Sequence, residues 1–155
     1  MTPMDYHQIL PKLFIGTYVE TVAEFERLRR ETGVTAVLNL QTDDDMRYFQ
    51  LDWGSLLDYY KICGIEARRV PVRDFDAVDL QDKLPACVST VNNLLKSVHT
   101  VYLHCSAGSG RSPTVAIAYL VWRDGWTLDQ AVAHVTQCRP CCPNLEAIRL
   151  AAVAR

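Results

Sequence analysis

Residues 101–114 constrain the fold of this chain more than any other stretch. They read Val-Tyr-Leu-His-Cys-Ser-Ala-Gly-Ser-Gly-Arg-Ser-Pro-Thr. The apolar run Thr100 to His104 has the length and composition of a buried strand. It passes into a loop of small residues with no apolar anchor. A strongly apolar helix then runs from Ser112 to Arg123 and closes at Asp124-Gly125. A buried strand that turns into a helix across so few residues is half of a βα unit, and such strands belong to mostly parallel sheets.

The rest of the chain alternates in the same way. Leu13 to Ile15, Val34 to Leu40 and Ile65 to Val72 read as strands. A helix with the stripe Val22, Phe25, Leu28 follows the capping box Thr21–Glu24 and stops at Gly33. Further helices are expected at Ser55 to Cys63, Leu84 to Ser97, after the Thr127–Gln130 box, and from Asn144 to Arg155. The expectation is one α/β domain over residues 1–155, with a central, mostly parallel sheet of about five strands flanked by helices. The 155 residues, 49% hydrophobic and 22% charged, suffice for one ordinary core.

Ligands of such sheets sit at the carboxyl ends of strands, where Cys105 lies. Gly108 and Gly110 are read as letting the loop turn its N–H groups inward. The start of the following helix adds its positive end, and Pro113 suits a first turn. Ser106, Ala107, Gly108, Ser109, Gly110, Arg111 and Ser112 would then form a cup for a phosphate, with Arg111 gripping two oxygens through its fork. The same field favours the thiolate of Cys105, the form that attacks phosphorus. His104 would orient the loop, and Ser112 would donate to the sulfur. The plainer reading is a buried cysteine before an ordinary glycine-rich turn.

Cleaving a phosphate ester also requires a proton for the leaving oxygen. The segment Val70-Pro-Val-Arg-Asp-Phe-Asp-Ala-Val-Asp79 follows a strand and offers three carboxylates. Asp79 reads as the cap of the next helix. Spacing alone does not separate Asp74 from Asp76.

The run His104-Cys-Ser-Ala-Gly-Ser-Gly-Arg-Ser112 resembles the signature of dual-specificity phosphatases. In that family the acid precedes a leucine by six residues, the spacing of Asp74 and Leu80. The resemblance therefore implies Cys105 as nucleophile, Arg111 as phosphate ligand and Asp74 as acid. Asn39-Leu-Gln, Arg47-Tyr-Phe49, Arg73-Asp-Phe-Asp-Ala77, Leu84-Pro85 and Pro143-Asn-Leu-Glu-Ala-Ile-Arg149 are similar to the glucan phosphatases of the starch-excess and like-starch-excess types, with laforin more distant. This implies a phosphorylated glucan as substrate and sugar-stacking roles for Tyr48, Phe49 and Phe75. Ser109 and Cys142 depart from the glucan pattern. A phosphoprotein substrate is the alternative, a phosphoinositide a third. A non-catalytic phosphate-binding module is the alternative from another class.

Other readings are largely negative. A formal charge of −2 gives no basic field for nucleic acid, and no apolar run is long enough to span a membrane. Met1 to Leu10 does not read as a targeting segment, so a cytoplasmic protein without disulfides is expected. Cys138, Cys141 and Cys142 with His134 imitate half of a zinc site, but no metal or organic cofactor is expected. Oxidation of Cys105 is the more credible thiol chemistry. Trp122 and Trp126 read as packing.

Overall fold

The computed structural model describes residues 4–152. Five strands form one sheet: β1 (Tyr6–Leu10), β2 (Leu13–Gly16), β3 (Ala36–Asn39), β4 (Glu66–Arg69) and β5 (Val101–His104). Their order is β1-β2-β5-β3-β4, with only the β1–β2 pair antiparallel. Seven helices surround it: α1 (Val22–Thr32), α2 (Asp43–Tyr48), α3 (Trp53–Ile62), α4 (Ala77–Lys96), α5 (Arg111–Arg123), α6 (Leu128–Cys138) and α7 (Leu145–Ala151). The α/β class and the mostly parallel sheet agree with the sequence reading.

Strand residues alternate between two cores because successive side chains point to opposite faces. Leu13, Ile15, Leu38 and Leu103 face the cluster built with α4, α5, α6 and α7. Phe14, Val37 and Tyr102 face the smaller cluster holding Phe25, Leu28 and Tyr60. β5 lies at the centre, and both its neighbours run parallel to it, so the ends of β2, β3 and β5 open on one edge.

Several local expectations need correction. Helix α4 begins at Ala77, two turns before the expected start at Leu84, and carries Pro85 in its interior. Leu80, Leu84 and Cys87 all pack into the core, and that burial outweighs the amide hydrogen bond Pro85 cannot make. Asp76, not Asp79, caps this helix, by accepting the Asp79 amide at 3.0 Å. At α1, Thr21 accepts from the Glu24 amide, but the Glu24 carboxylate takes the Glu20 amide, so the expected box is not closed. The Thr127–Gln130 box is complete. Helix α7 is capped by Asn144 and covers Leu145–Ala151; its expected continuation over residues 153–155 lies outside the described residues.

Candidate active site

The loop from Cys105 to Gly110 joins the end of β5 to the start of α5. Every carbonyl along it is held by a donor from outside the loop. Cys105 O accepts from His104 Nδ1 at 3.1 Å, and Ser106 O from the Tyr18 amide at 3.0 Å. Arg139 takes the next two, Nη2 to Ala107 O at 2.9 Å and Nε to Gly108 O at 2.7 Å. The Cys142 amide takes Ser109 O at 2.7 Å, and Gly110 O receives the amide and hydroxyl of Thr114. Among the described residues, none of the amides from Ser106 to Gly110 donates to a protein acceptor. Carbonyls fastened on one side leave the N–H groups for the other, the arrangement of an anion nest. Helix α5 adds to it, since Gly110 caps it without a side chain and leaves its first amides open.

The two glycines serve differently. Gly108 has φ +68° and is pressed against Arg139 and Gly16, so it requires glycine. Gly110 has φ −117°, and a side chain there would meet nothing closer than 3.9 Å. The expectation that both glycines are needed for the turn holds for Gly108 only.

Cys105 is almost fully covered, and its Sγ lies 3.3 Å from Ser112 Oγ. His104 is buried and stacked on Tyr102. Burial drives its imidazole down to about 4, so it is neutral and its Nδ1–H donates to the Cys105 carbonyl. By contrast, burial among apolar groups pushes the Cys87 thiol up to about 12, the mark of an inert cysteine.

Arg111 is 3% exposed and densely held. Its Nη1 donates to Asp45 Oδ2 at 2.6 Å and to the Val72 carbonyl at 2.7 Å. Its Nη2 reaches Ser106 Oγ at 3.2 Å and Asp74 Oδ2 at 3.4 Å. Its Nε is buried without a partner. Gln41 steadies the Ser106 hydroxyl at 3.1 Å. Burial tends to raise the Asp45 carboxyl, but the Arg111 hydrogen bond and the Thr42 amide outweigh it and hold Asp45 below its ordinary range.

The loop of residues 73–77 lines one side of a cleft of about 540 Å³. Asp74, Phe75, Cys105, Arg111, Ser109 and Cys142 all line it. Asp76 is occupied as the α4 cap, and Asp79 accepts the Arg73 amide at 2.7 Å, which ties the loop to the helix. Asp74 is thus the carboxylate of the three that reaches Arg111. Phe75 adopts φ +57° and is fully exposed on the rim. Tyr48 is exposed at the end of α2, while Phe49 is half-buried against Tyr18 with ring centroids 4.5 Å apart. Neither lines the cleft, so Phe75 alone of the three aromatics does.

Three groups at the site escaped the sequence reading. Asp45 sits in a short acidic helix whose Thr42–Asp45 box was the available signal. Arg139 and Gln41 act through contacts 31 and 65 residues distant in the chain. At the cysteine cluster, His134 Nε2 is engaged by the Ile9 carbonyl at 2.7 Å, and no three His, Cys, Asp or Glu groups converge among the described residues.

The curated relatives share this region. The chain is 36% identical over 151 residues to phosphoglucan phosphatase DSP4, amyloplastic, of Castanea sativa, covering 96% of this chain and 40% of that protein. It is 34% identical over 145 residues to phosphoglucan phosphatase LSF1, chloroplastic, of Arabidopsis thaliana, covering 94% and 24%. The chain therefore spans less than half the length of these relatives. Among solved structures, PTPMT1 aligns with a TM-score of 0.76 at 22% identity, covering 94% of this chain and 90% of that one, a likeness of fold. The family profile described as dual specificity phosphatase, catalytic domain, matches residues 13–150. A match running from β2 into α7, over the residues that build this cup, makes the chain a member of the dual-specificity phosphatase catalytic-domain family.

Proposed function

We propose that this chain is a cysteine-dependent phosphomonoesterase that acts on phosphorylated glucan. The observation that carries the chemistry is the loop itself: its carbonyls are all held by donors from outside the loop and, among the described residues, its amides from Ser106 to Gly110 donate to no protein acceptor. Such a cradle matches the equatorial oxygens of a phosphoryl group in flight. Cys105 attacks phosphorus in line; the P–S bond forms as the bond to the sugar oxygen breaks. Asp74 gives its proton to that oxygen. It then takes a proton from water, which attacks phosphocysteine and frees phosphate and the thiolate. The Ser112 hydroxyl stabilises the sulfur as it leaves.

The substrate class is supported by the two phosphoglucan phosphatases and by Phe75, an exposed ring on the rim suited to a flat sugar face. Tyr48 offers a second ring farther out. The test is side-by-side turnover of solubilised phosphoglucan, a phosphotyrosine peptide and an aryl phosphate. Phosphoglucan is expected to be the preferred macromolecular substrate. Phe75→Ala should lower its turnover about fivefold or more while sparing the aryl phosphate and the melting temperature. Preference for the peptide, or equal losses on both small and large substrates, would overturn the glucan assignment and leave the phosphatase chemistry intact.

A further inference from the structure

An arginine fork offers five N–H donors, and their allocation decides which edge meets an oxyanion. In Arg111 the two Nη1 donors are taken by Asp45 and the Val72 carbonyl. Nη2 is shared between Ser106 Oγ and the more distant Asp74, and Nε is buried with no partner. The edge carrying Nε and Nη2 is the one left for a phosphoryl group. The asymmetry originates on α2. Asp45 Oδ2 accepts the Thr42 amide at 3.0 Å, closing the box that starts the helix, and the same oxygen accepts Arg111 Nη1 at 2.6 Å.

We infer that Asp45 is a positioning residue: its Oδ2, shared between the first turn of α2 and Arg111 Nη1, aims the Nε–Nη2 edge of the arginine into the cup. An arriving phosphoryl oxygen takes the place of Asp74 at Nη2, which frees Asp74 to meet the leaving oxygen. Two effects of the Asp45 charge compete. Its negative charge near the cup repels an anion, whereas its hydrogen bond holds the arginine in the anion's path. The full engagement of Nη1, and a buried Nε that donates to no group among the described residues, favour the second. The inference rests on the assignment of Arg111 as phosphate ligand.

The experiment measures tungstate binding to the full chain carrying Cys105→Ser, and aryl phosphate turnover with Cys105 intact. Asp45→Asn keeps an oxygen for the Thr42 amide but loses the charge-assisted bond that fixes Arg111 Nη1. It is expected to weaken tungstate about tenfold and to lower kcat more than it raises KM. Without anion its melting temperature should stay within about 2 °C of the parent. Asp45→Glu keeps the charge and suits a capping box, so it should retain affinity within about threefold. In an Arg111→Lys background, Asp45→Asn should have no further effect, because the fork it positions is gone. Unchanged or tighter tungstate binding by Asp45→Asn would show that repulsion outweighs aim and would overturn the inference. So would an equal loss in both backgrounds, or a Glu variant no better than Asn. If Asp45→Asn fails to fold, the Glu variant and its cycle with Arg111→Lys decide the matter. Arg111→Lys binding tungstate as well as its parent would instead overturn the reading of the cup itself.

Discussion

Substituting Gly108 by alanine tests how the cup is built. A Cβ there would lie 2.6 Å from Arg139 Nη2, 2.6 Å from Gly16 C and 2.7 Å from Gly16 O, on a backbone with φ +68°. Carbon atoms rest at about 3.5–4.0 Å, so something must move by close to an ångström. Gly16 is the least able to yield. It ends β2, paired on both sides, and is itself pressed by Asp5 O and Tyr102. The loop must therefore move, and its carbonyls leave Arg139. The left-handed backbone costs about 1–2 kcal/mol with a side chain, and overpacking about 1–3 more. At ~2–4 °C per kcal/mol for a domain of this size, melting should fall by roughly 4–20 °C. A displacement near 1 Å at the reacting centre should also cost about 10²-fold in turnover, measured where the variant is still folded. Gly110→Ala is the control: with its nearest neighbour 3.9 Å away it should lose no more than about 1 kcal/mol. The assays are thermal melts and aryl phosphate kinetics on both variants. Wild-type melting and turnover in Gly108→Ala, or equal damage from Gly110→Ala, would refute the argument.

Three further outcomes are expected. Cys105→Ser should lower turnover below about 1% of wild type, since serine is not ionised near neutral pH, while tungstate at a hundredfold excess over Kd still stabilises it by about 2.7 kcal/mol; substantial residual turnover would exclude Cys105 as nucleophile. Asp74→Asn should slow sugar phosphates by about 10²-fold and an activated aryl phosphate far less, and Asp76→Asn should chiefly destabilise α4, so the reverse pattern in paired kinetics would reassign the acid. His104, held near 4 by burial against its usual 6.5, takes up a proton in the unfolded chain before the native one. Stability should therefore fall by about 3 kcal/mol as pH drops from 6.5 to 4; urea unfolding at about pH 7 and 4.5 should show a smaller acid loss for His104→Asn, and parallel losses would contradict the assignment.

The parts legible in the sequence were those whose determinants are local. The strand into Cys105, the loop glycines and the apolar helix carry their own signals within a dozen residues, whereas the preference for Asp74 over Asp76 comes from the family resemblance and not from local physics. What escaped is of two kinds. α2 and β1 are short and polar on their surfaces; α2 holds three successive aspartates, and its box uses Asp45 where glutamate or glutamine is the usual signal. The expected start of α4 at Leu84 misses two turns, which burial of Leu80 and Leu84 carries across Pro85. The second kind is tertiary. That Arg139 fastens two loop carbonyls, or that Asp45 meets Arg111 66 residues away, follows from the sheet order and from no local pattern.

The outward fastening of the loop carbonyls also bears on the life of the chain during synthesis. The proposed nucleophile is at position 105, yet its loop carbonyls are held by Arg139 and the amide of Cys142, and Arg139 is anchored by Asp5 Oδ1 at 2.7 Å far back in the chain. A growing chain that has passed Arg111 but not Cys142 holds the whole signature and no means of keeping its amides inward. The proposed chemistry thus needs a cup that forms only once nearly the whole domain has left the ribosome and Asp5 has met Arg139.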